Sequence, residues 1–330
     1  MSNRRIILSA LVIVAIIAAS AGIFLAKGTK TQQDIRQQEE ITLRYLSIPG
    51  TVDSADFARE LGYLKGINIT SAGFTTGGPE KIMAVSAGSI EFGSSAWIPV
   101  INARSKGTKI KVIASSGGNN TKWIVLENSS IRSAKDLKGK KIAVNVLGGS
   151  VEYITREYLA RNGVSKDEVQ LIVIPPPQHE QALRQGQVDV VAPFDPTGEK
   201  IVAGGGVRVL FTDSDITGDI SQGVYFTSEK LMNEKPDAVK RLVEAIARAE
   251  DWEKEHPKES KELAARILKN RGENSDAAKY LKDRGYREHA LVTESDAQFW
   301  IEWLVKDGKI KEGQVKPSDI YTDDYNPYKK

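Results

Sequence analysis

The sequence predicts an α/β fold built from two similar lobes. Two observations predict it: strand-like and helical segments alternate from residue 41 to residue 211, and one phrase occurs twice. The phrase is AVSAGSIEFGSS at residues 84–95 and ALRQGQVDVVAP at residues 182–193, 98 positions later. In both copies a glycine follows the helical part and β-branched residues follow the glycine. Since glycine closes a helix without a Cβ penalty and β-branched residues favour strands, each copy predicts a helix, a tight turn and a strand.

The chain begins with a segment typical of exported proteins. Arg4 and Arg5 precede an uncharged apolar run that ends at Ala26 and contains a small-x-small cleavage pattern. The run is also long enough to cross a bilayer uncleaved. Residues 1–26 are therefore predicted to be a signal peptide or a membrane anchor, with the body of the protein exported. Residues 27–40 are predicted to be a polar spacer.

Composition excludes several classes of function. The 330 residues allow two domains, and a net charge of +3 does not make a polycation, so nucleic acid is not a predicted partner. The chain has no cysteine, which excludes disulfides, thiolate metal sites and cysteine nucleophiles. Its three histidines are scattered, and none is paired at metal-ligand spacing. We therefore predict neither a metal nor a cofactor.

The first lobe is predicted to start at residue 41 and to alternate strands with helices. Stretches rich in β-branched residues predict strands at 41–48, 67–74, 90–95 and 109–116. Capping and helix-favouring residues predict helices between them at 54–66, 77–88 and 97–107. This alternation predicts a mostly parallel sheet, and ligands of such sheets bind at the carboxyl ends of the strands.

The second lobe is predicted to open with the segment at residue 123 and to repeat the alternation. Its further predicted strands are 141–146, 170–175, 188–193 and 207–211, and its main helices are 151–163 and 179–186. The chain is expected to cross between lobes near 119–124 and 217–226. Lobe 1 is then 41–122 with 218–330, and lobe 2 is 123–217. Amphipathic patterns predict a helical C-terminal region with helices at 236–255, 257–270, 275–285 and 293–307.

The clearest chemical site in the sequence is the strand–GGS–helix segment near residue 150. A helix N-terminus presents unpaired N–H groups and the positive end of the helix dipole, and glycine lets a ligand approach the backbone. Gly149 and Ser150 are therefore candidates to bind a sulfonate, nitrate or carboxylate. The alternative is that Ser150 only caps the helix, which is the common use of such a serine.

Other candidate residues follow the ends of predicted strands. Ser94, Ser95 and Ala96 end the third strand and are either the facing half of an anion site or the cap of the next helix. Thr51 lies in the loop after the first strand. Asn119 lies at a predicted lobe crossing and is a hinge residue or a ligand contact.

Asp195 and three aromatic residues complete the predicted site. Asp195 can pair with the ammonium group of a zwitterionic ligand, but it also fits a helix N-cap with proline at the next position, which we favour. Trp97, Phe194 and Tyr225 are candidates to pack the organic part of a ligand. The acids of the repeated phrase begin strands away from this edge, so we expect them to fix turns; they are Glu91 and Asp189.

Several short motifs occur in an order that resembles one protein family. They are Glu60-Leu61-Gly62-Tyr63, Gly88-Ser89-Ile90-Glu91-Phe92-Gly93, Asp136-Leu137-Lys138-Gly139-Lys140-Lys141, Gly149-Ser150, the second copy of the phrase and Asp195-Pro196. The ordered set resembles the nitrate/sulfonate/taurine group of ABC-importer substrate-binding proteins, whose fold thiamin-precursor synthases share. The resemblance covers about residues 41–310. Glu91 departs from the family, which usually has aspartate there, but the charge is preserved.

The resemblance implies a two-lobe periplasmic binding protein fold of type II. It implies an exported protein, in the periplasm or at the outer face of the cytoplasmic membrane, that closes on a small anionic solute and delivers it to an ABC permease. It favours Gly149 and Ser150 as ligand contacts. The synthases of this fold depend on a histidine and a cysteine-rich motif, so a chain without cysteine is expected not to be such an enzyme. A membrane-tethered sensory or scaffold protein of the same fold, and more remotely an enzyme, stay open as alternatives.

Overall fold

The structure is a computed structural model that describes residues 40–118 and 121–329. The predicted signal or anchor segment, nearly all of the spacer and Asn119 lie outside the described residues. Within the described ranges no helix combines the length and the apolar character that crossing a membrane requires. From Thr42 onward the chain is one compact unit.

The described strands follow the β-branched stretches of the sequence closely. They are β1 Ile41–Ser47, β2 Ile67–Phe74, β3 Phe92–Ala96, β4 Ile110–Ser115, β5 Lys122–Leu126, β6 Lys141–Val144, β7 Gln170–Val173, β8 Val190–Val191, β9 Val207–Thr212 and β10 Gly223–Ser228. The predicted strand at residues 109–116, for example, matches β4 to within one residue at each end. Strand formation is therefore largely a local property of this chain.

The described helices begin at glycine, proline, serine or acidic positions in most cases. They are α1 Ser54–Glu60, α2 Gly78–Ser86, α3 Trp97–Ser105, α4 Ser150–Arg161, α5 His179–Arg184, α6 Thr197–Ala203, α7 Ser214–Thr217, α8 Glu229–Glu234, α9 Pro236–Glu255, α10 Pro257–Asn270, α11 Glu294–Lys306 and α12 Pro317–Ile320. Pro236 and Pro257 stand at the first helical position, where the missing N–H costs nothing.

The strands form three sheets whose orders are β1-β2, β3-β10-β4 and β7-β6-β8-β5-β9. The predicted α/β fold with helices flanking its sheets is confirmed. The sheets contain more antiparallel strand pairs than the predicted, mostly parallel arrangement. β6 is parallel to β7 and β8, but β5 runs antiparallel to β8 and β9, and β10 runs antiparallel to β3 and β4. The reason is that β10 comes from a distant part of the chain and enters between β3 and β4, so no βαβ crossover sets its direction.

The chain passes between the two larger sheets twice, before β5 and before β10. The two crossing segments pair with each other: Ser116 N–H donates to Gly223 O at 2.9 Å, and Thr121 N–H donates to Asp213 Oδ2 at 2.9 Å. We call the body around β3-β10-β4 lobe 1 and the body around the five-stranded sheet lobe 2. The exact residues at which each lobe begins and ends stay a prediction. The assignment of the strands to the two larger sheets agrees with it.

Lobe 1 carries the C-terminal helices, and its core is partly built from them. Trp300 of α11 packs with Trp97 and Phe226 in one buried apolar cluster. The predicted helix at residues 275–285 is wrong, because only the 3₁₀ turn Ala278–Tyr280 forms there. Asp283 Oδ1 accepts the N–H of Gly285 at 2.9 Å, a local hydrogen bond that competes with a helix.

The two copies of the repeated phrase form the same local structure. Their glycines have left-handed φ values of 72° and 70°, as a helix-ending turn requires, at Gly88 and Gly186. Glu91 N–H donates to Arg44 O at 3.0 Å, while the Glu91 carboxylate accepts the Arg44 N–H at 2.6 Å. Asp189 makes the same pair of bonds with Lys141, at 2.9 and 2.8 Å. Each acid therefore ties the turn to the backbone of an earlier strand.

Candidate ligand-binding cleft

A cavity of about 210 Å³ lies between the strand ends of lobe 1 and lobe 2. Most of the candidate residues from the sequence are brought together in its wall. They are Thr51, Ser94, Ser95, Ala96, Gly149, Ser150, Phe194, Asp195 and Tyr225. Their contact with a ligand stays a prediction. We call this cavity, with its lining residues, the cleft.

Trp97 does not line the cleft. Its side chain is 1% exposed and packs in the core of lobe 1, so the prediction that it contacts a ligand is withdrawn. Trp97 is the first residue of α3, and its side chain points into the core of lobe 1 and away from the end of β3. Tyr225, by contrast, lies on the floor of the cleft, and its hydroxyl accepts the N–H of Ala55 at 3.3 Å.

Three helix N-termini without a side-chain cap contribute to the cleft wall. The N-cap residues are Gly77 for α2, Ala96 for α3 and Gly149 for α4. All three line the cleft, two from lobe 1 and one from lobe 2. Because an uncapped N-terminus offers N–H donors and a partial positive charge, this wall favours an anionic group.

Close backbone approach in the wall depends on glycine. A Cβ on Gly78 would come within 1.9 Å of Ser95 Oγ and 3.1 Å of Ser95 Cα. The start of α2 can therefore lie directly against the end of β3. On the other side of the cleft, Gly149 is the N-cap of α4 and Ser150 is its first helical residue. The alternative interpretation of Ser150 as the cap is thus wrong, and its hydroxyl is not used in capping.

Behind Ser94 lies a buried lysine that sequence analysis did not identify. Lys81 is 0% exposed, and its Nζ donates to Ser94 Oγ at 2.8 Å and lies 3.6 Å from Asp53 Oδ2. Ser94 Oγ in turn donates to Asp53 Oδ2 at 3.3 Å. A lysine ammonium can only donate, so Ser94 must direct its own hydrogen elsewhere. Ser94 Oγ is therefore held between the Lys81 ammonium and the Asp53 carboxylate at the edge of the cleft.

A cluster of buried acids lies on the other side of the lobe 1 wall. Ser54, which lines the cleft, donates to Glu250 Oε1 at 3.1 Å, and the Tyr286 hydroxyl donates to Glu253 Oε2 at 3.0 Å. Burial raises the pKa of Glu253 to about 7, against the lowering effect of Arg284, and also raises the pKa of Glu250 well above its ordinary value. These carboxyl groups therefore hold protons near neutral pH.

Arg284 joins this acid cluster to the cleft. Its Nη1 donates to Val52 O at 2.7 Å, its Nη2 lies 3.7 Å from Glu253 Oε2, and the residue lines the cleft. Sequence analysis missed Arg284 because it falls in the segment that was predicted to be a surface helix. The charge of this arginine adds to that of Lys81 in making lobe 1 suitable for an anion.

Asp195 forms part of the lobe 2 wall, and its side chain is 4% exposed. The N-cap of α6 is Pro196, one residue after the predicted position, and the backbone N–H of Glu199 in the first turn of α6 lowers the pKa of the Asp195 carboxyl group. Lys122 Nζ lies 3.7 Å from Asp195 Oδ1 but only 2.7 Å from Glu199 Oε1. Burial raises the pKa of Asp195 to about 6, because Lys122 compensates only in part.

Comparison with known proteins gives one family. The family model described as NMT1/THI5 like matches residues 57–260. A protein of Brucella abortus (strain 2308) named as a binding protein is 30% identical over 264 residues, which are 76% of this chain and 79% of that protein. An aliphatic sulfonates-binding protein of Bacillus subtilis (strain 168) is 28% identical over 263 residues, 76% of this chain and 77% of that protein.

Solved structures share the fold at lower identity. The periplasmic aliphatic sulphonate binding protein of Escherichia coli has a TM-score of 0.66 and 21% identity, over 85% of this chain and 91% of that chain. The periplasmic nitrate-binding protein of Synechocystis PCC 6803 has a TM-score of 0.69 and 15% identity, over 87% of each chain. A desulfurization enzyme also has this fold, with a TM-score of 0.61 and 17% identity, over 87% of this chain and 97% of that chain. The fold thus serves both binding and catalysis.

Proposed function

This chain belongs to the NMT1/THI5-like family, and from that membership and the cleft we propose that it is an exported solute-binding protein of an ABC importer. It holds a small anionic compound between its lobes and delivers it to the permease. The relatives named for aliphatic sulfonates support a sulfonate as the ligand, and the relative named for nitrate and nitrite supports another small anion. A taurine-like compound also carries a sulfonate group. The N-terminal segment, if it is not cleaved, tethers the protein to the membrane.

One observation carries this proposal: three uncapped helix N-termini from both lobes meet at one cavity. Pro79 and Pro99 have no N–H, and the N–H of Trp97 donates to Gln222 O at 3.1 Å, so the donors open to an anion are the other N–H groups of the first turns. The dipole of each helix adds roughly 0.3–2 kcal/mol. The buried Lys81 and the half-buried Arg284 add positive charge to the same wall, and Asp53 and Glu253 beside them offset part of it. A cavity of about 210 Å³ suits a compound of a few heavy atoms, not a peptide.

Both lobes have to contribute for such a site to be complete. α2 and α3 lie in lobe 1, whereas α4 lies in lobe 2. A ligand that contacts all three stabilises the closed arrangement over an open one, since only closure brings the three N-termini together. We assign the hinge to the described residues of the paired crossing segments, 116–118 with Thr121 and 213–222. The predicted lobe limits, at residues 122/123 and 217/218, agree with this hinge.

The fold alone leaves catalysis open, since one neighbour is a desulfurization enzyme. This chain has no cysteine to act as a nucleophile. Its three histidines are described, and none of them lines the cleft. His179 is buried, and its Nε2 lies 2.9 Å from Ile174 O, while burial lowers its pKa to about 4. We therefore favour binding without turnover over an enzyme and over a purely sensory role.

The test is a thermal-shift and calorimetric screen of the full chain as it is exported. The compounds are methanesulfonate, ethanesulfonate, 2-aminoethanesulfonate, nitrate, acetate and neutral heterocycles of similar size. At about 1,000 times the dissociation constant a true ligand stabilises the fold by roughly 4 kcal/mol. We expect at least one small anion to raise the melting temperature. Stabilisation by neutral compounds alone would overturn the proposal, and turnover of the bound compound would show an enzyme.

A further inference from the structure

We propose that Glu253 is a proton-binding site coupled to the cleft, so that its carboxylate takes up a proton from solvent when an anion binds between the lobes. This inference rests on the proposed function and adds a regulation of the same site. The only bond that forms is the O–H bond of Glu253, and no bond of the anion changes. The protein therefore binds anions more tightly as the pH falls through the neutral range.

The first support is that the cleft and Glu253 share one cation. Arg284 lines the cleft, and its Nη2 lies 3.7 Å from Glu253 Oε2, while its Nη1 donates to Val52 O at 2.7 Å. Its Nε is buried and has no hydrogen-bond partner among the described residues. An anion in the cleft attracts the guanidinium group that stabilises the Glu253 carboxylate, and it also repels that carboxylate. Both effects favour the protonated form of Glu253.

The second support is a short series of hydroxyl groups between the cleft and Glu253. Ser54 lines the cleft, and its Oγ lies 3.4 Å from the Tyr286 hydroxyl oxygen. That hydroxyl donates to Glu253 Oε1 and Oε2, at 3.1 and 3.0 Å. Because these groups are buried, water screens the charge of a bound anion less at Glu253 than it does at the protein surface.

The third support is a second cavity, through which a proton can reach Glu253 without entering the cleft. The second cavity has a volume of about 380 Å³, and Glu253 and Tyr286 line it, although neither of them lines the cleft. Lys254 and Lys282 also line the second cavity and are exposed, so it opens to solvent. Glu253 can therefore exchange its proton while an anion fills the cleft.

The surroundings of Glu253 leave it close to a change of charge at neutral pH. Burial raises its pKa to about 7, and Arg284 lowers the pKa only in part. Glu250 is fully buried, and burial raises its pKa well above the ordinary value, so it stays protonated. Charged or titratable groups lie around Glu253 on all sides; they are Asp53 before α1, Tyr225 of β10, Glu250 and Lys254 of α9, Lys261 of α10, and Lys282, Asp283, Arg284 and Tyr286 of the segment between α10 and α11.

The experiment counts the protons that are taken up when an anion binds. Calorimetry of the full chain uses ethanesulfonate and nitrate, which stay ionised, at pH 8 in Tris and in triethanolamine. These amine buffers differ in their enthalpy of ionisation, so the difference in measured heat gives the number of protons, and neither buffer is a competing anion. We expect about 0.4 proton at pH 8, which corresponds to a bound anion that favours protonated Glu253 by roughly tenfold. The affinity should then fall by roughly threefold from pH 7.5 to pH 9.

Matched variants assign the proton to one residue. Glu253→Gln resembles the protonated side chain, so it should take up almost no proton and should bind equally well at pH 7.5 and pH 9. Glu250→Gln replaces an acid that is already protonated, and Glu255→Gln changes an exposed acid on α9; both should keep the uptake. Asp195 also lines the cleft, but with a pKa of about 6 it is almost fully ionised at pH 8 and contributes little there.

The outcomes separate this inference from the proposed function. Anion binding without proton uptake in the wild type overturns the inference and leaves the anion-binding function in place. Equal uptake in the wild type and in folded Glu253→Gln, or loss of uptake in folded Glu250→Gln, places the proton on another group, and the inference fails. If neither ethanesulfonate nor nitrate binds between pH 6 and pH 9, the proposed function fails for these anions and the inference fails with it.

A second variant keeps the test open if circular dichroism shows that Glu253→Gln does not fold. Tyr286→Phe removes the hydroxyl that donates to the Glu253 carboxylate and favours its ionised form. Glu253 then holds its proton to higher pH, so the fall in anion affinity should move to higher pH. A fall in affinity at the same pH as in the wild type would contradict the inference.

Discussion

Lys81 Nζ lies 2.8 Å from Ser94 Oγ, and the lysine is fully buried one layer behind the cleft. This contact reserves one lone pair of the serine for the lysine and leaves the serine hydrogen for Asp53 or for a ligand. An anion that accepts this hydrogen bond is also attracted by the ammonium group of Lys81. Because the lysine is buried, water screens this attraction only weakly. The Asp53 carboxylate, 3.6 Å from Lys81 Nζ, accepts this hydrogen until a ligand replaces it.

Lys81→Met is expected to weaken binding of the anion that the screen identifies by roughly tenfold, since bonds to charged groups are worth about 1.5–3 kcal/mol. Methionine has a similar length, so the core of lobe 1 keeps its packing. Calorimetry measures the affinity, and circular dichroism checks the fold. Lys106→Met, at an exposed lysine, should bind like the wild type. Equal affinity of a folded Lys81→Met protein would show that the lysine is only structural.

Ser150→Pro separates binding from capping at the start of α4. Residue 150 is the first helical position, where proline is well tolerated, and the preceding Gly149 has an extended ψ of 167° that suits the residue before proline. The variant should keep the wild-type melting temperature to within a few degrees. It removes one N–H and one hydroxyl from the cleft, so anion affinity should fall by roughly tenfold. A folded variant with full affinity would mean that this helix end does not contact the ligand.

The parts of the site that could be predicted from the sequence are those set by local structure. Ser94, Ser95, Gly149 and Ser150 follow β-branched stretches and precede helices, and ligands of α/β proteins collect at such strand ends. The strand ends of this chain do meet at one cavity. The antiparallel entry of β10 was not predictable in this way, because it depends on pairing across more than 100 residues of chain.

The charged residues behind the wall were missed for the same physical reason. Lys81 lies on a helix whose sequence looks amphipathic, and only the packing of α2 against β3 buries its ammonium next to Ser94. Arg284 lies in a polar segment that resembles a surface helix, yet it reaches the cleft. Asp195 fits a helix cap in the sequence, and its actual place in the wall depends on how the chain turns into α6.

The acids of the repeated phrase should matter for stability and not for binding. Asp189→Ala removes the acceptor for the Lys141 N–H, and Glu91→Ala removes the acceptor for the Arg44 N–H. Each is expected to lower the free energy of unfolding by about 1 kcal/mol, the usual net worth of a hydrogen bond, with ligand affinity unchanged. Urea denaturation and calorimetry measure the two quantities. Glu262→Ala, at an exposed acid within α10, is the control and should change neither; a loss of affinity in Asp189→Ala would contradict this assignment.

Glu253 should make the fold less stable as the pH rises from about 4.5 to 7. Burial raises its pKa from the ordinary 4.5 to about 7, so the folded state keeps a proton in this range that the unfolded state releases. Stability therefore falls with rising pH across this window and is constant above it, by on the order of 3 kcal/mol for this group. Glu253→Gln resembles the protonated side chain and should lose that part of the pH dependence. Free energies of unfolding in urea at pH 5 and pH 8 measure it.

The comparison reports Glu253 together with its effect on the pKa of Glu250, because the shifted residues farther away are present in both proteins. Asp195 and Asp213, whose pKa values burial raises to about 6, act in the same direction as Glu253, and His179, with a pKa of about 4, acts in the opposite direction. The difference between wild type and Glu253→Gln cancels all three. Glu255→Gln, at an exposed acid two residues later on α9, should follow the wild type at both pH values. If Glu253→Gln loses as much stability between pH 5 and pH 8 as the wild type does, Glu253 is already ionised at pH 5, and the Arg284 guanidinium then outweighs the effect of burial.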